Sequence, residues 1–265
     1  MKTGVTELVL SADWSFDEVL QNISATGYEA LELALRDQGY CSFAADEKDL
    51  AGLPEAARGA GIELVSMCPA QTERPKDLMT NDTTLREAAR ETVIDYMRVA
   101  NAVGVETVLI VLGQLPPDLG YEEAYDNALD SMRRLAPAAE MAGVNLAIEY
   151  VWNKFLLSPL EFCQFLDEVD SPRVGFYFDP GNMCAFSYPK QWLRLLSDHL
   201  MAVHMKDFKR DGFEWVPLGE GDVDFPGVMA ELHSTGYEGA LVSEVSQGVA
   251  SLEESAKEID RIKEL

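Results

Sequence analysis

A short phrase recurs along this chain: a helical segment ends at a glycine, and an apolar, strand-like run follows at once. The five copies read ATGYEAL, GAGIELV, AVGVETV, MAGVNLA and STGYEGAL. Glycine is favoured at this point because helices commonly end in a left-handed turn, which other residues adopt only at a cost. Repetition of this step predicts alternating helices and strands, and therefore a parallel sheet.

The alternation extends along the whole chain. Runs that read as strands occupy residues 5–10, 29–35, 62–67, 105–112, 144–149, 173–178, 200–206 and 240–244. Segments with helical periodicity include 16–26, 83–103, 121–142, 158–168, 188–197, 225–235 and 251–263. Strand–helix units of this number in 265 residues predict an α/β fold, a single (β/α)8 TIM barrel domain over residues 1–265. A doubly wound open sheet is the alternative, although the first strand lacks its GxGxxG turn.

Charge and cysteine content narrow the classes of partner and compartment. Lys and Arg number 21 against 46 Asp and Glu, a formal charge of −25, which repels nucleic acid phosphates. The four cysteines are scattered and form no CxxC pair, as in reduced intracellular chains. The N-terminus is a poor signal peptide, and no run of about 18 apolar residues predicts a membrane span. We expect a cytoplasmic protein without a nucleic acid or membrane partner.

Polar side chains stand at the ends of the last four predicted strands. Glu149 ends the fifth strand, Asp179 ends the sixth, His204 lies in the seventh and Glu244 ends the eighth. The carboxyl ends of barrel strands form the catalytic rim, where a buried, unpaired carboxylate would be costly. One divalent cation could pair with all four groups. Three carboxylates and one imidazole favour Mn²⁺, with Mg²⁺ or Co²⁺ as alternatives.

The motifs IEY…WNKF, FDPGNM, VHMKDF, PLGEGDVDF and SEVS carry a family resemblance. They resemble the xylose-isomerase-like TIM barrel superfamily, and within it the sugar (phosphate) isomerases/epimerases, which include ketose 3-epimerases and hexulose- and pentulose-phosphate 3-epimerases. The resemblance implies one divalent metal bound by Glu149, Asp179, His204 and Glu244, with the two glutamates as the catalytic acid/base pair. It also implies a sugar contact by Arg210 and a homodimer or homotetramer.

Two positions depart from the free-ketose 3-epimerases of that superfamily. Those enzymes have a histidine three residues after the metal aspartate and a glutamate six residues after the first metal glutamate. This chain has Asn182 and Phe155 there. The resulting DxGN motif, residues 179–182, resembles the phosphate-sugar epimerases more closely than the free-ketose enzymes. The same motif also occurs in relatives that act on oxidised sugars or remove C-linked sugars.

Further residues near the predicted rim are candidate substrate contacts, and each also has a structural interpretation. Cations could pair with a phosphate or an oxyanion or form surface ion pairs, aromatic rings could stack on a sugar or pack in the core, and a carboxylate could bind a hydroxyl. The candidates are Trp14, Glu32, Trp152, Lys154, Asn182, Lys206 and Arg210. His199 and His233 lie in or beside helical segments, and both are interpreted as structural.

The predicted function is a divalent-metal-dependent epimerase or isomerase of a ketose or ketose phosphate. One carboxylate removes the C3 proton, the metal stabilises the resulting cis-enediolate, and a second acid returns a proton to the opposite face. The first alternative is a related metal-dependent lyase on oxidised sugars, of the C-glycoside deglycosidase or inosose dehydratase type. An endonuclease at abasic DNA sites would need several metal histidines and a basic groove, whereas this chain has three histidines and a charge of −25. A binding protein without catalysis would not require the intact ligand set.

Overall fold

The computed structural model describes residues 1–70 and 72–265. Within these ranges the strands are, in chain order, β1 (Lys2–Thr6), β2 (Ala30–Leu35), β3 (Glu63–Pro69), β4 (Thr107–Ile110), β5 (Asn145–Glu149), β6 (Val174–Phe178), β7 (Leu200–Met205), β8 (Asp207–Lys209), β9 (Glu214–Val216) and β10 (Ala240–Ser243). Eight of these described strands form a closed barrel in the order β1-β10-β7-β6-β5-β4-β3-β2. The predicted (β/α)8 barrel is confirmed, and its closure excludes the open sheet.

The described barrel strands pair in parallel, so their carboxyl ends share one rim. Closure occurs between the first and the last of them, where Lys2 lies opposite Ala240 and Val5 opposite Ser243. The remaining two strands, β8 and β9, form an antiparallel hairpin that follows β7 at that rim. Residues at the carboxyl ends of β5, β6, β7 and β10 are therefore neighbours around the barrel.

The described helices cover the outside of the barrel. They are α1 (Phe16–Ala25), α2 (Glu47–Gly59), α3 (Thr83–Val103), α4 (Tyr121–Ala142), α5 (Pro159–Val169), α6 (Pro180–Cys184), α7 (Pro189–Leu196), α8 (Phe225–Thr235) and α9 (Leu252–Lys263). Asp82 and Ser158 cap the starts of α3 and α5 by accepting backbone N–H bonds, and Gly104 ends α3 in the left-handed region, as the recurring glycine predicts. In the part of the chain described here, no helix combines the length and the apolar character needed to cross a membrane.

The first strand lies earlier in the chain than its apolar pattern predicts, at Lys2–Thr6 in place of residues 5–10. β1 ends at Thr6, and residues 7–9, which were expected to continue it, form a 3₁₀ helix. The buried Glu7 carboxylate accepts the backbone N–H of Ala34 at 3.0 Å and pairs with Arg36 at 3.3 Å. These contacts hold the segment after β1 against the end of β2, and they require the backbone to leave the strand direction at Glu7.

Helix α2, the short helix α6 and the β8–β9 hairpin were not assigned from the sequence. Helix α2 contains Pro54 in its interior, and proline there is normally a helix breaker because it lacks an N–H and crowds the preceding turn. The β8–β9 hairpin is made of two three-residue strands, which are too short for an alternating pattern to be recognised.

The barrel interior is lined by small side chains. Ala34, Ala147 and Ala202 lie there together with Cys68 and Tyr177. Interiors are close-packed, so these small residues provide the space that the Tyr177 ring occupies below the catalytic rim. The larger apolar side chains form a separate core between the strands and the surrounding helices.

Candidate metal centre

Four side chains that could bind a metal ion meet at the carboxyl end of the barrel. Glu149 ends β5, Asp179 follows β6, His204 lies in β7 and Glu244 follows β10. These strands are consecutive around the barrel, and one potential ligand atom from each residue lies within 4.8 Å of the others. The structure thus brings together the four residues that the sequence predicts as ligands.

Two buried atoms of this cluster lack a hydrogen-bond partner. Asp179 Oδ1 accepts the backbone N–H groups of Gly181 at 2.9 Å and Asn182 at 3.1 Å, whereas Asp179 Oδ2 accepts no hydrogen bond from the described residues. Nδ1 of His204 is also without one, although Glu244 Oε2 is only 3.1 Å away. A buried polar atom without a partner costs about 1–3 kcal/mol. A cation among the four side chains would satisfy both atoms, so the donor set fits a divalent metal ion.

Glu32 fixes the orientation of the histidine ring. Its Oε1 lies 2.8 Å from Nε2 of His204, while its Oε2 accepts hydrogen bonds from the hydroxyls of Tyr177 at 2.6 Å and Ser66 at 2.8 Å. A carboxylate on one ring nitrogen leaves the other to bind the metal and makes it more basic. Nδ1 of His204 is therefore the atom that faces Glu149 and Glu244.

The Glu32–His204 pair carries opposite charges in the barrel interior. Burial by itself would raise the pKa of Glu32, but attraction to His204 together with hydrogen bonds from His204, Tyr177 and Ser66 outweighs it and lowers that pKa. Burial lowers the pKa of His204, yet attraction to Glu32 and Glu244 raises it well above its usual value. Both oxygens of Glu32 are occupied by protein groups, so the structure places this residue beneath the histidine and does not leave it free for a substrate hydroxyl.

The two glutamates of the cluster differ in their affinity for a proton. Burial raises the pKa of Glu149 to about 7, against the lowering effect of the neighbouring His204 ring. Burial would also raise the pKa of Glu244, but attraction to Lys206 and His204 lowers it to about 2. At neutral pH and without a bound ion, Glu149 is therefore poised to hold or release a proton, while Glu244 is ionised.

The raised pKa of Glu149 predicts how the stability of the ion-free protein depends on pH. The unfolded chain releases this proton near 4.5 and the folded protein near 7, so the free energy of unfolding falls as pH rises between these values, by about 3 kcal/mol in total. We expect Glu149→Gln to remove that fall. Urea unfolding with a chelator at pH 5 and pH 7 measures it, with the exposed Glu55→Gln as control. A wild-type protein and a Glu149→Gln variant with the same pH dependence would contradict the prediction.

Lys206 places a cation beside the ligand cluster. Its Nζ lies 2.8 Å from Glu244 Oε2, 3.4 Å from Asp179 Oδ2 and 5.0 Å from the centre of the Trp215 ring. Burial lowers the pKa of Lys206, but Asp179 and Glu244 raise it well above the usual value. Gly181 makes this approach possible, because a Cβ atom there would lie 2.5 Å from the Cβ of Lys206.

Of the other candidate contacts in the described part of the chain, Asn182 lies at the ligand cluster and Arg210 does not contact it. The Nδ2 of Asn182 donates a hydrogen bond to Glu149 Oε1 at 3.2 Å. The guanidinium of Arg210 instead donates to the carbonyl of Cys184 at 2.8 Å, at the end of α6, and to that of Ser187 at 3.0 Å, in the loop before α7. The substrate roles predicted for Asn182 and Arg210 stay predictions.

Lys154 and Trp14 also lie apart from the four ligands. Lys154 is exposed in a left-handed backbone conformation, and Trp14 is half-buried against the hydrophobic core. In the described ranges neither side chain has a hydrogen bond or ion pair with the ligand cluster. Their substrate roles likewise stay predictions.

Trp152, Phe213 and Trp215 form an aromatic wall beside the cluster, and only the first of these residues was a candidate from the sequence. Trp152 donates its Nε1–H to the carbonyl of Asn182 at 3.0 Å, and its ring stacks on Trp215 with centroids 5.2 Å apart. Phe213 packs against Trp152 as well, at 5.3 Å. The sequence singles out Trp152 but not the two hairpin aromatics, and no local pattern could have placed them there, because the contact joins the loop after β5 to the β8–β9 hairpin.

Two cavities open around this wall. One of about 530 Å³ lies over the ends of β3, β4 and β5, with Trp152, Asn153, Lys76 and Asp77 in its lining. A smaller one of about 250 Å³ is bounded by Trp215 together with Glu244 and Lys206. Small-molecule sites are typically concave and mostly apolar with a few convergent polar groups, and both cavities meet that description.

The sequence matches the family model described as "Xylose isomerase-like TIM barrel" over residues 20–265. This confirms the resemblance drawn from the motifs. Among curated proteins it is similar to L-ribulose-5-phosphate 3-epimerase UlaE of Salmonella paratyphi C (strain RKS4594). The two are 26% identical over 249 residues, which cover 91% of this chain and 86% of that protein.

Solved structures of sugar epimerases share the fold. A D-psicose 3-epimerase with D-tagatose from Clostridium cellulolyticum H10 superimposes with a TM-score of 0.81 at 19% identity, covering 100% of this chain and 99% of that one. An L-ribulose 3-epimerase gives a TM-score of 0.82 at 17% identity, covering 99% and 94%. At these identities the likeness establishes the fold alone.

Proposed function

We propose a function on the premise that this chain belongs to the xylose isomerase-like TIM barrel family. The chain is an isomerase, a divalent-metal-dependent 3-epimerase of a ketose or ketose phosphate. The single observation that carries the proposal is the convergence of Glu149, Asp179, His204 and Glu244 on one point of the rim, where buried atoms of Asp179 and His204 have no hydrogen bond. The curated relative named as an L-ribulose-5-phosphate 3-epimerase supports the same reaction class.

The metal would be held by one oxygen from each carboxylate and by Nδ1 of His204. Mn²⁺ suits three oxygen donors and one imidazole nitrogen, with Mg²⁺ or Co²⁺ as alternatives. Once bound, such an ion polarises the substrate carbonyl and stabilises negative charge on its oxygen. Glu32 holds the imidazole in place from behind, which keeps Nδ1 directed at the ion.

Glu149 and Glu244 are the proton-transfer groups of the proposal. Epimerisation at C3 requires a base on one face of the carbon and an acid on the other. The two residues come from β5 and β10, which are separated around the barrel by β6 and β7, so they approach a bound substrate from different sides. In the ion-free protein the pKa of Glu149 is about 7, near the value that suits a general acid or base at neutral pH. The direction of transfer depends on which epimer binds.

A phosphorylated ketose is the favoured substrate class. The asparagine at position 182 follows the phosphate-sugar version of the DxGN motif, and the curated relative UlaE is named for a pentulose phosphate. Lys154 and Arg210 are the proposed partners of the phosphate or of the distal hydroxyls, Asn182 contacts the reacting end, and Trp14 stacks on the sugar. The protein acts without a nucleic acid partner, which its charge of −25 would repel.

The cellular location and the assembly are proposed from the cysteines and from the family resemblance. The described cysteines are all free, which supports the reducing conditions of the cytoplasm. A homodimer or homotetramer is proposed from the family resemblance.

A deuterium-exchange screen tests the proposed function. The metal-free protein is incubated in D₂O with Mn²⁺ and a set of ketoses, ketose phosphates and oxidised glycosides, and deuterium at C3 is followed by NMR together with the products. We expect Mn²⁺-dependent exchange and epimerisation of at least one ketose or ketose phosphate. Loss of a sugar or of water from an oxidised substrate, with no exchange in any ketose, would replace the epimerase with the lyase alternative.

The proposed substrate contact of Arg210 predicts a kinetic effect without a metal effect. Arginine has five N–H donors, so its two bonds to the carbonyls of Cys184 and Ser187 leave donors for a substrate oxygen. We expect Arg210→Ala to raise KM roughly 10–100-fold, the value of a hydrogen bond to a charged group, and to leave Mn²⁺ affinity unchanged. The matched control is Lys209→Ala, which removes an exposed neighbouring cation. Unchanged kinetics in Arg210→Ala would refute the contact.

A further inference from the structure

A second cluster of metal-binding side chains lies away from the catalytic rim. Cys163 and Asp167 are four residues apart on α5, so they share one face of the helix. His199 ends the 3₁₀ helix Ser197–His199, directly before β7. One ligand atom of each residue lies within 4.8 Å of the other two. We propose that Cys163, Asp167 and His199 form a zinc-binding site.

The spacing of the three side chains is close to that of a tetrahedral zinc site. Zinc lies about 2.3 Å from sulfur and about 2.0–2.2 Å from nitrogen or oxygen, so tetrahedral angles separate its ligand atoms by roughly 3.3–3.6 Å. In the structure Cys163 Sγ is 3.8 Å from Asp167 Oδ2, and His199 Nε2 is 3.2 Å from Asp167 Oδ1. The two contacts use different oxygens of Asp167, so a rotation of this exposed carboxylate would be needed to bring all three ligand atoms, which lie within 4.8 Å of one another, around one ion.

The chemistry of the donor set selects a different ion from that of the catalytic rim. A thiolate is a soft ligand that zinc and cobalt accept and that manganese and magnesium do not favour. The Asp167 side chain is 66% exposed and that of His199 is 23% exposed, so water has access to the fourth position. This is a three-residue site with one solvent ligand, on the surface of the protein.

The site is independent of the proposed function. Zinc there would tie α5 to the residues that begin β7, whereas His204, at the other end of β7, faces the catalytic rim. His204 is five positions after His199, and at the usual rise of a strand this separates the two residues by roughly 16 Å. Ion binding at the surface site therefore adds a link between two elements and takes no ligand from the rim.

Cobalt spectroscopy tests the proposal with the whole chain. Co²⁺ is added to the metal-free protein, and the thiolate-to-cobalt charge-transfer absorption in the near ultraviolet is recorded. The other cysteines, Cys41, Cys68 and Cys184, are buried, so the band reports Cys163. We expect the thiolate band to saturate with one equivalent of Co²⁺ in addition to the Co²⁺ bound at the rim. Added Zn²⁺ should displace this Co²⁺ and remove the band.

Matched variants separate this site from the rim and from non-specific binding. Cys163→Ser and His199→Gln lose the band, whereas Asp179→Asn, which impairs the rim, retains it, as does His233→Gln, which removes an exposed histidine on α8. Circular dichroism confirms the fold of each variant. The proposal is overturned if the wild-type protein shows no thiolate band, or if the band persists in Cys163→Ser or in His199→Gln.

Discussion

In Glu149→Gln and in Glu244→Gln we expect epimerisation to be abolished, with a loss of about 10²–10⁴-fold, the usual contribution of a positioned acid or base. Each glutamine keeps the size of the side chain and removes its ability to take up a proton. Each variant should also lose deuterium exchange from the epimer whose C3 proton that residue removes. The measurement is NMR of both epimers in D₂O at saturating Mn²⁺.

The control for this experiment separates proton transfer from metal binding. Asp179 is proposed as a ligand without an acid/base role, so Asp179→Asn should weaken Mn²⁺ binding and recover part of its activity when the ion is raised to saturation. The two glutamine variants should not recover, even with the ion bound, as judged by calorimetry. Exchange at the wild-type rate from both epimers in either glutamine variant would remove that glutamate from the acid/base pair.

Replacement of Glu32 tests whether this residue orients His204 for metal binding. Glu32 is fully buried and holds Nε2 of His204, so we expect Glu32→Gln to weaken Mn²⁺ binding by about 10–100-fold, the range found when the partner of a metal-bound histidine is removed. The ion-free protein should also lose about 3–5 kcal/mol of stability, since the change breaks a buried charge pair. Calorimetric titration with Mn²⁺ and urea unfolding with a chelator measure the two effects.

Tyr177→Phe is the matched control for Glu32. It removes one hydrogen bond to the same carboxylate and leaves the contact with His204 intact. We expect its Mn²⁺ affinity to stay within a few-fold of the wild-type value, because Glu32 still holds Nε2 of His204. If Glu32→Gln bound Mn²⁺ as tightly as the wild-type protein, the positioning role of Glu32 would be wrong.

Sequence and structure agree most closely where a local signal coincides with a repeated unit. The glycine that ends α3, the cap at Ser158 and the boundaries of α3, α4 and α8 follow from residues within a few positions of each other. The four ligand positions follow from the same repeat, because each lies at or near the end of an apolar strand. The first strand was predicted at residues 5–10 but lies at Lys2–Thr6, and it ends before Glu7, whose side chain accepts a hydrogen bond from Ala34 on the next strand.

The sequence by itself determined the eight-unit alternation, the parallel sheet, and the order of Glu149, Asp179, His204 and Glu244 around one rim, because hydrophobic periodicity and strand-end chemistry are local properties. Only the tertiary structure decided that Glu32, 172 positions before His204 along the chain, selects its ring nitrogen, that Lys206 stands beside the ligands, and that Trp215 stacks on Trp152. These contacts join distant segments, and barrel closure and side-chain packing, which no short window of sequence contains, set their geometry.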